Sequence, residues 1–360
     1  MDMVRNFHMA QGLGETSYAQ NSPLQKEVIE SVMDITLRSA MEACAAETVS
    51  IADLGCSSGR NTLSVVENVI RAVCERRREA TQQLPEFMVF LNDLPSNDFN
   101  TLFSLVPEFV QKLKAEHDDG GGILVSVAGA PGNFYGRLFP SSSLHFITSF
   151  TSLHWLSQVP AGLLNNEESV NKGNIYMSPA SPPLVATLYF ERFQKDFNMF
   201  LRSRSQELVV GGKMVFSFIG RRSHDSHEKI NECLLLEALE KSLSILVSQK
   251  LVTEEKLDSF NLPFYAPSTQ ELEDQVYREG SFTIDSMKQA HDWTIHEYAP
   301  KMLSNFSRAI IESFICHHFG EEIIEPLFET YTQLLCEKLV AREDIGWSKI
   351  IVVLCKSAAS

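Results

Sequence analysis

Short apolar runs alternate along this chain with stretches whose apolar residues recur every three or four positions. The runs lie at 49–54, 87–93, 123–128, 144–150 and 213–220. Runs of that length, bounded by turn residues, read as buried strands. Helical spacing occupies 24–41, 62–78, 99–116 and 183–208 between them. Ser22 stands at an N-cap position with Pro23 behind it, a helix-start signal. Gly211 and Gly212 read as a helix stop and turn. Arg221, Arg222, Ser223 and His224 read as a solvated loop after the fifth strand.

From about 229 the pattern turns mainly helical, at 229–250, 268–279 and 302–341. Residues 281–284 and 293–295 read as short strands inside that block, and 349–355 as a final strand. Alternating strands and helices, a helical block, then one more strand predict an α/β sheet with helices on both faces and a mainly helical cap. The predicted division is 1–223 plus 342–360 for the core, with an N-terminal flap, and 224–341 for the cap.

Composition narrows the classes. The chain has 360 residues, 44% hydrophobic and 21% charged, which suits a globular protein with a sizeable core. Its formal net charge of −15 disfavours nucleic acid and anionic membranes as partners. The seven cysteines are widely spaced, with no CxxC pair, so neither a disulfide framework nor a thiolate zinc site is predicted. The first residues carry Asp2, Arg5 and His8 without an apolar core, unlike a signal peptide, so the cytoplasm is the expected location.

The chemistry starts where the first strand ends, at Asp53, Leu54, Gly55, Cys56, Ser57, Ser58 and Gly59. Strand, small-residue turn and helix let backbone N–H groups approach a nucleotide-like ligand. A dinucleotide fingerprint requires G-x-G-x-x-G and an acid about 20 residues on. Here the glycine gap is three, no third glycine follows, and Asp93 lies too far along. That weakens a nicotinamide oxidoreductase. Asp93, ending the second strand, can accept two ribose hydroxyls, and Asp53 can face a ligand amine. The combination reads as a site for S-adenosylmethionine.

Seven blocks then line up. They begin at Glu15, Asp53, Asn92, Phe134, Leu153, Asn171 and Asp258, and together resemble the plant SABATH methyltransferases nearly end to end. The resemblance implies a Rossmann-like class I methyltransferase sheet and methylation of small carboxylic acids of the jasmonate, salicylate or benzoate type. It also leaves open an N-methyltransferase of xanthine alkaloids, or a low-activity homologue that only binds small acids. By the same resemblance, Tyr18, Asp53, Cys56, Asn61, Asp93, Leu94, Asn133 and Phe134 would surround the cofactor. Gln25, His154 and Trp155 would meet the substrate. Asn174, Asp258, Phe260 and Asn261 fall where some members are described with magnesium. A homodimer is the implied assembly. Two departures stand out: Arg60 replaces the usual proline, and Asn133, on the cofactor loop, the usual serine.

Methyl transfer to a carboxylate needs little acid–base help, because the acid is ionised at neutral pH. The enzyme must align the oxygen with the methyl and exclude water. Neutral donors, the Gln25 amide and the Trp155 indole, suit that task, and His154 is not required as a base. Thr151 stands where salicylate-type members carry tyrosine, which predicts room for a bulkier, jasmonate-like acid.

Overall fold

The computed structural model describes residues 7–117, 122–165, 168–221, 234–294, 298–341 and 346–358. In chain order the main elements are α1 (Pro23–Ala43), β1 (Thr48–Leu54), α2 (Arg60–Glu79), β2 (Glu86–Asp93), α3 (Phe99–Glu116), β3 (Val125–Pro131) and β4 (Leu144–Phe150). Then follow α4 (Pro183–Glu207), β5 (Leu208–Gly220), α5 (Leu234–Ser248), α6 (Glu254–Ser259), α7 (Thr269–Glu279), β6 (Phe282–Thr294), α8 (Pro300–Phe319), α9 (Ile324–Ala341) and β7 (Gly346–Lys356).

The strands form a seven-stranded sheet in the order β3-β2-β1-β4-β5-β7-β6. The first five run parallel, whereas β7 is antiparallel to both β5 and β6. The chain moves outward from β1 to β3 and then returns to place β4 on the other side of β1. That reversal opens a crevice at the carboxyl ends of β1 and β4, where ligands sit in open α/β sheets.

Apolar periodicity explains the layers. One face of the sheet packs Val49, Ile51, Val89 and Leu91 against α1, α2 and α3. The other packs Phe216 and Phe218 against Tyr189, Phe193, Phe197 and Phe200 of α4. The phenylalanines at helical spacing are therefore core. A third cluster, built from α5, α8 and α9 and joined by Phe7 and Leu24, sits above the crevice as the cap. No helix among the described residues is long and apolar enough to cross a membrane.

Several local expectations change. The helix before the two glycines stops at Glu207, and Gly211 and Gly212 lie inside β5. They form the bulge where pairing with β4 shifts register; a Cβ on Gly212 would sit 2.9 Å from the Val209 carbonyl oxygen. The third strand runs on to Pro131, because 129–131 pair with 91–93 of β2. The stretch 302–341 is two helices, broken at Gly320 with φ 108°. The two short strands merge, except for Ile295, which lies outside the described residues, into β6, thirteen residues long and bulged twice, an outer strand of the sheet. Arg221 is buried rather than solvated; Arg222, Ser223 and His224 lie outside the described residues.

Candidate active site

The turn after β1 is set by one glycine more than the other. Gly55 has φ 80°, and a Cβ there would meet the Ser152 hydroxyl oxygen at 2.3 Å. It has no room for a side chain and a backbone that favours none. Gly59, the N-cap of α2, would place a Cβ at an ordinary 3.6 Å from the Ala19 backbone. Ser57 and Thr151, at the ends of β1 and β4, hold φ values of 52° and 51°. A β-branched residue in that region is strained, and both line the same cavity.

That cavity encloses about 1220 Å³ of non-atom space, mouth included, between the sheet's carboxyl edge and the cap. Tyr18, Gln25, Asp93, Leu94, Asn133, Phe134, His154 and Trp155 all line it. Asp53, Cys56 and Asn61 line a smaller recess, which shares Tyr18, Gln25, Gly55, Phe150 and Thr151 with the cavity. The eleven residues expected around cofactor and substrate thus come together in one continuous space. α1 and α2 both begin at the recess without an acidic residue in the first turn and without a side-chain cap. Ser22 stands at the predicted N-cap of α1, but its hydroxyl instead accepts from Asn61 Nδ2 at 3.2 Å. Two uncapped helix starts leave positive dipole ends beside the recess.

Asp93 Oδ2 accepts the Ser57 N–H at 2.7 Å, and Oδ1 accepts the Leu94 N–H at 2.7 Å. Each oxygen keeps a second lone pair. Burial raises the carboxyl pKa to about 6, against the lowering effect of these two bonds. Burial likewise raises Asp53, whose Oδ1 accepts from the Thr148 hydroxyl at 2.7 Å. The Ser57 hydroxyl is buried with no partner. Asn133 holds its own turn, accepting the Tyr135 N–H at 3.0 Å through Oδ1. Arg60 points away from the site and reaches Glu108 at 3.6 Å across an exposed surface.

The substrate end is aromatic. The Trp155 ring lies 5.4 to 5.7 Å from Phe7, Phe264, Phe314 and His154. His154 is buried, which lowers its pKa to about 3 and keeps it neutral. Gln25 Oε1 and His154 Nδ1 are buried without a hydrogen-bond partner. Among the described residues lining the cavity, Asp93 carries the one full charge, and none is lysine or arginine. On the cap side, Ser307 and Tyr331 join through their hydroxyls at 2.8 Å, and the Tyr331 hydroxyl donates to the Leu235 carbonyl at 3.1 Å.

The cap wall, with Leu235, Leu239, Phe306, Ser307, Ile310 and Tyr331, was not readable as a site. Helical periodicity shows which face is buried and not that the buried face borders a cavity. Phe7 and Met9, from the N-terminal segment, had no signal beyond being apolar. Ser57 did have one: it sits inside the small-residue turn.

The expected metal set lies elsewhere and does not fit a divalent cation. Asn174 Oδ1 accepts from the Ser178 hydroxyl at 2.6 Å, and Asn261 Oδ1 from Asn171 Nδ2 at 2.8 Å. Asp258 Oδ1 accepts the Gly173 N–H at 2.8 Å, and Phe260 could offer only its carbonyl. One carboxylate and two neutral amides, each with an oxygen already engaged by a protein donor, offer such an ion a single charge and oxygens that are already partnered. Among the described residues there is no group of three or more His, Cys, Asp or Glu placed to hold a metal.

A family model described as SAM dependent carboxyl methyltransferase matches residues 4–357. "Probable jasmonic acid carboxyl methyltransferase 1" of Theobroma cacao is 42% identical, over 93% of this chain and 94% of that protein. Salicylate carboxymethyltransferase of Clarkia breweri is 40% identical over 99% of this chain and 100% of its own length. "Probable caffeine synthase 2" of Camellia sinensis is 40% identical over 97% of both chains. Among solved structures, loganic acid methyltransferase with SAH superposes with a TM-score of 0.86 at 35% identity, covering 97% of this chain and 99% of that one.

Proposed function

The chain belongs to the SAM dependent carboxyl methyltransferase family, and from that premise we propose that it esterifies a small carboxylic acid with a bulky, mainly apolar body. The observation that carries this reading is the charge pattern of the cavity among the described residues: Asp93 as the one carboxylate, no lysine or arginine, and neutral polar side chains left unpartnered. Such a lining suits a ligand that brings its own anion to neutral donors.

Bound S-adenosylmethionine supplies an electrophilic methyl on a sulfonium. Asp93 would hold its ribose hydroxyls on the two free lone pairs, and Asp53 would meet its amine at the recess. Tyr18, Cys56, Asn61, Leu94, Asn133 and Phe134 would form the remaining walls.

Gln25 and Trp155 orient the acid. The Gln25 amide presents Nε2 to a carboxylate oxygen after a half-turn, and the indole N–H serves the other oxygen. Neither donor neutralises the nucleophile as a guanidinium would. Orientation of this kind is worth about 7–11 kcal/mol in favourable cases. His154 is neutral and takes no proton; its unpartnered Nδ1 offers a hydrogen bond to a substituent. The aromatic wall around Trp155 keeps water from the reacting pair. At the far end, the Ser307 hydroxyl can turn from Tyr331 towards an oxygen on the acid's tail.

The test is a mass-spectrometric screen of jasmonate, salicylate, benzoate and xanthines with S-adenosylmethionine. A methyl ester formed fastest on the bulkier acid is the expected result. A clear preference for salicylate would sink the bulky-acid reading, and N-methylation of a xanthine without any ester would sink the carboxyl reading.

A further inference from the structure

Residues 260–268 are all buried although they form neither helix nor named strand. A buried irregular segment must find partners for its backbone polar groups, and here those partners include the substrate-binding segment. The Leu156 N–H donates to the Pro263 carbonyl at 2.7 Å, and the Tyr265 N–H donates to the His154 carbonyl at 2.9 Å. Trp155 is thereby bridged to Phe264, whose ring also packs edge-on against it. Where this strap lies decides where the indole points.

The upstream end of the strap is fastened by neutral groups: the Leu262 N–H to the Ile175 carbonyl, and the Tyr189 hydroxyl to the Leu262 carbonyl at 2.8 Å. Its downstream end is fastened by a charged pair, Arg221 and Glu271. The Arg221 guanidinium donates to the Ala266 carbonyl at 2.8 Å and to the Tyr265 hydroxyl at 3.0 Å, and it pairs with Glu271. The Arg221 N–H donates to the Pro267 carbonyl at 3.0 Å. Glu271 also accepts from the Tyr265 hydroxyl at 2.9 Å and from the Ser268 N–H at 2.9 Å. Arg221 lines neither the cavity nor the recess.

We propose that Arg221, with Glu271 and Tyr265, is a positioning unit for the acid: it sets the strap that holds His154 and Trp155 against the carboxylate. One guanidinium nitrogen, Nη1, serves both acceptors on the strap while Nη2 pairs with Glu271, a fixed planar spread that a lysine's single ammonium does not reproduce. The cofactor side touches this segment through the Tyr135 hydroxyl, which donates to the Trp155 carbonyl at 2.8 Å, but it has its own fastening. There Arg204 donates to the Phe134 and Gly136 carbonyls at 2.7 and 2.8 Å and pairs with Glu207 at 2.7 Å. Loosening Arg221 therefore misplaces the acid and spares the cofactor loop.

This inference rests on the proposed carboxylate clamp, and its test separates the two. Wild type, Arg221→Lys and the milder Tyr265→Phe are titrated with S-adenosylhomocysteine by calorimetry. They are then assayed on whichever screened acid the wild type methylates fastest. Emission from Trp155, isolated by difference from Trp155→Phe, is recorded for each in the absence of acid. In Arg221→Lys the KM for the acid rises about tenfold, because a small misplacement is enough. S-adenosylhomocysteine affinity stays within about twofold, and the Trp155 emission shifts. Tyr265→Phe moves in the same direction by less. Equal losses for both ligands in proportion to a fall in thermal midpoint, or an unmoved Trp155 emission, would overturn the proposal. A wild type that esterifies no acid would overturn the clamp alone, since the emission shift is read without substrate.

Discussion

Asp93 and Ser57 are joined by a 2.7 Å hydrogen bond from the serine N–H to the carboxylate, which ties the end of β2 to the turn after β1. The bond fixes an acid whose pKa burial raises from 3.8 to about 6. A raised carboxyl pKa favours the protonated form of the unliganded fold. That contribution to stability is complete below the ordinary carboxylate range and is lost as pH rises through about 6. Binding of ribose hydroxyls favours the ionised form instead. Cofactor affinity therefore weakens as pH falls through 6, approaching about tenfold per pH unit further down. Calorimetry with S-adenosylhomocysteine across this range is the check, and in Asp93→Asn the dependence flattens while affinity at neutral pH falls.

Gln25 and Trp155 are predicted to act on the acid and not on the cofactor. Gln25→Ala and Trp155→Phe lower kcat/KM for the acid about tenfold to a hundredfold, since orientation is what they supply. S-adenosylhomocysteine binding holds steady in both. If Gln25→Ala left turnover and apparent acid affinity intact, the carboxylate clamp would be wrong.

His154 stays neutral because burial brings its pKa to about 3. The rate profile between pH 6 and 8 accordingly carries no limb from this ring. Wild type and His154→Asn give profiles of the same shape, offset in height. A limb near the ordinary histidine pKa that disappears in the variant would assign it a proton-transfer role.

The two glycines of the turn are predicted to behave differently. Gly55→Ala collides with Ser152 at a backbone angle that disfavours any side chain, and it lowers stability by about 1–3 kcal/mol. Gly59→Ala meets only ordinary contacts, and it loses no more than the modest N-cap preference of glycine. Chemical denaturation of the two variants side by side decides this.

Much of the fold is legible in the sequence. Five parallel strands and their helices follow from apolar runs and caps, and β4 ends at Phe150 as predicted. The turn and Asp93 were readable because close backbone approach demands small residues and an acid at a strand end. The misreadings have physical causes. Two glycines signal a helix stop, but a register shift also needs them. Lys288, Gln289 and Asp285 conceal β6 as a strand, because an outer strand with one wet face is polar at alternate positions and its bulges shift the phase. Arg221 beside Arg222 suggests solvent, and only the buried carbonyls of a segment some 45 residues on explain its burial.

The Asn171, Asn174, Asn261 and Asp258 junction satisfies its own oxygens with protein donors. A chelator is predicted to leave the thermal midpoint unchanged. Asn261→Ala lowers stability by about 1–3 kcal/mol, as the buried Asn171 amide loses an acceptor. A midpoint that fell with chelator and recovered with magnesium would restore the cation.

Residues 8 to 10 are hydrogen-bonded to α8: the Ser313 hydroxyl donates to the His8 carbonyl, 305 positions away, and the Ala10 N–H donates to the Ala309 carbonyl. A ribosome delivers these partners at opposite ends of synthesis. The elements bordering the recess, from α1 to β4, are all made before the cap helices that shape the acid's side. A nascent chain can therefore assemble a cofactor pocket long before it has an acid pocket. The contacts that close the acid pocket span most of the chain and so carry a large loop-closure entropy, which places them late in folding.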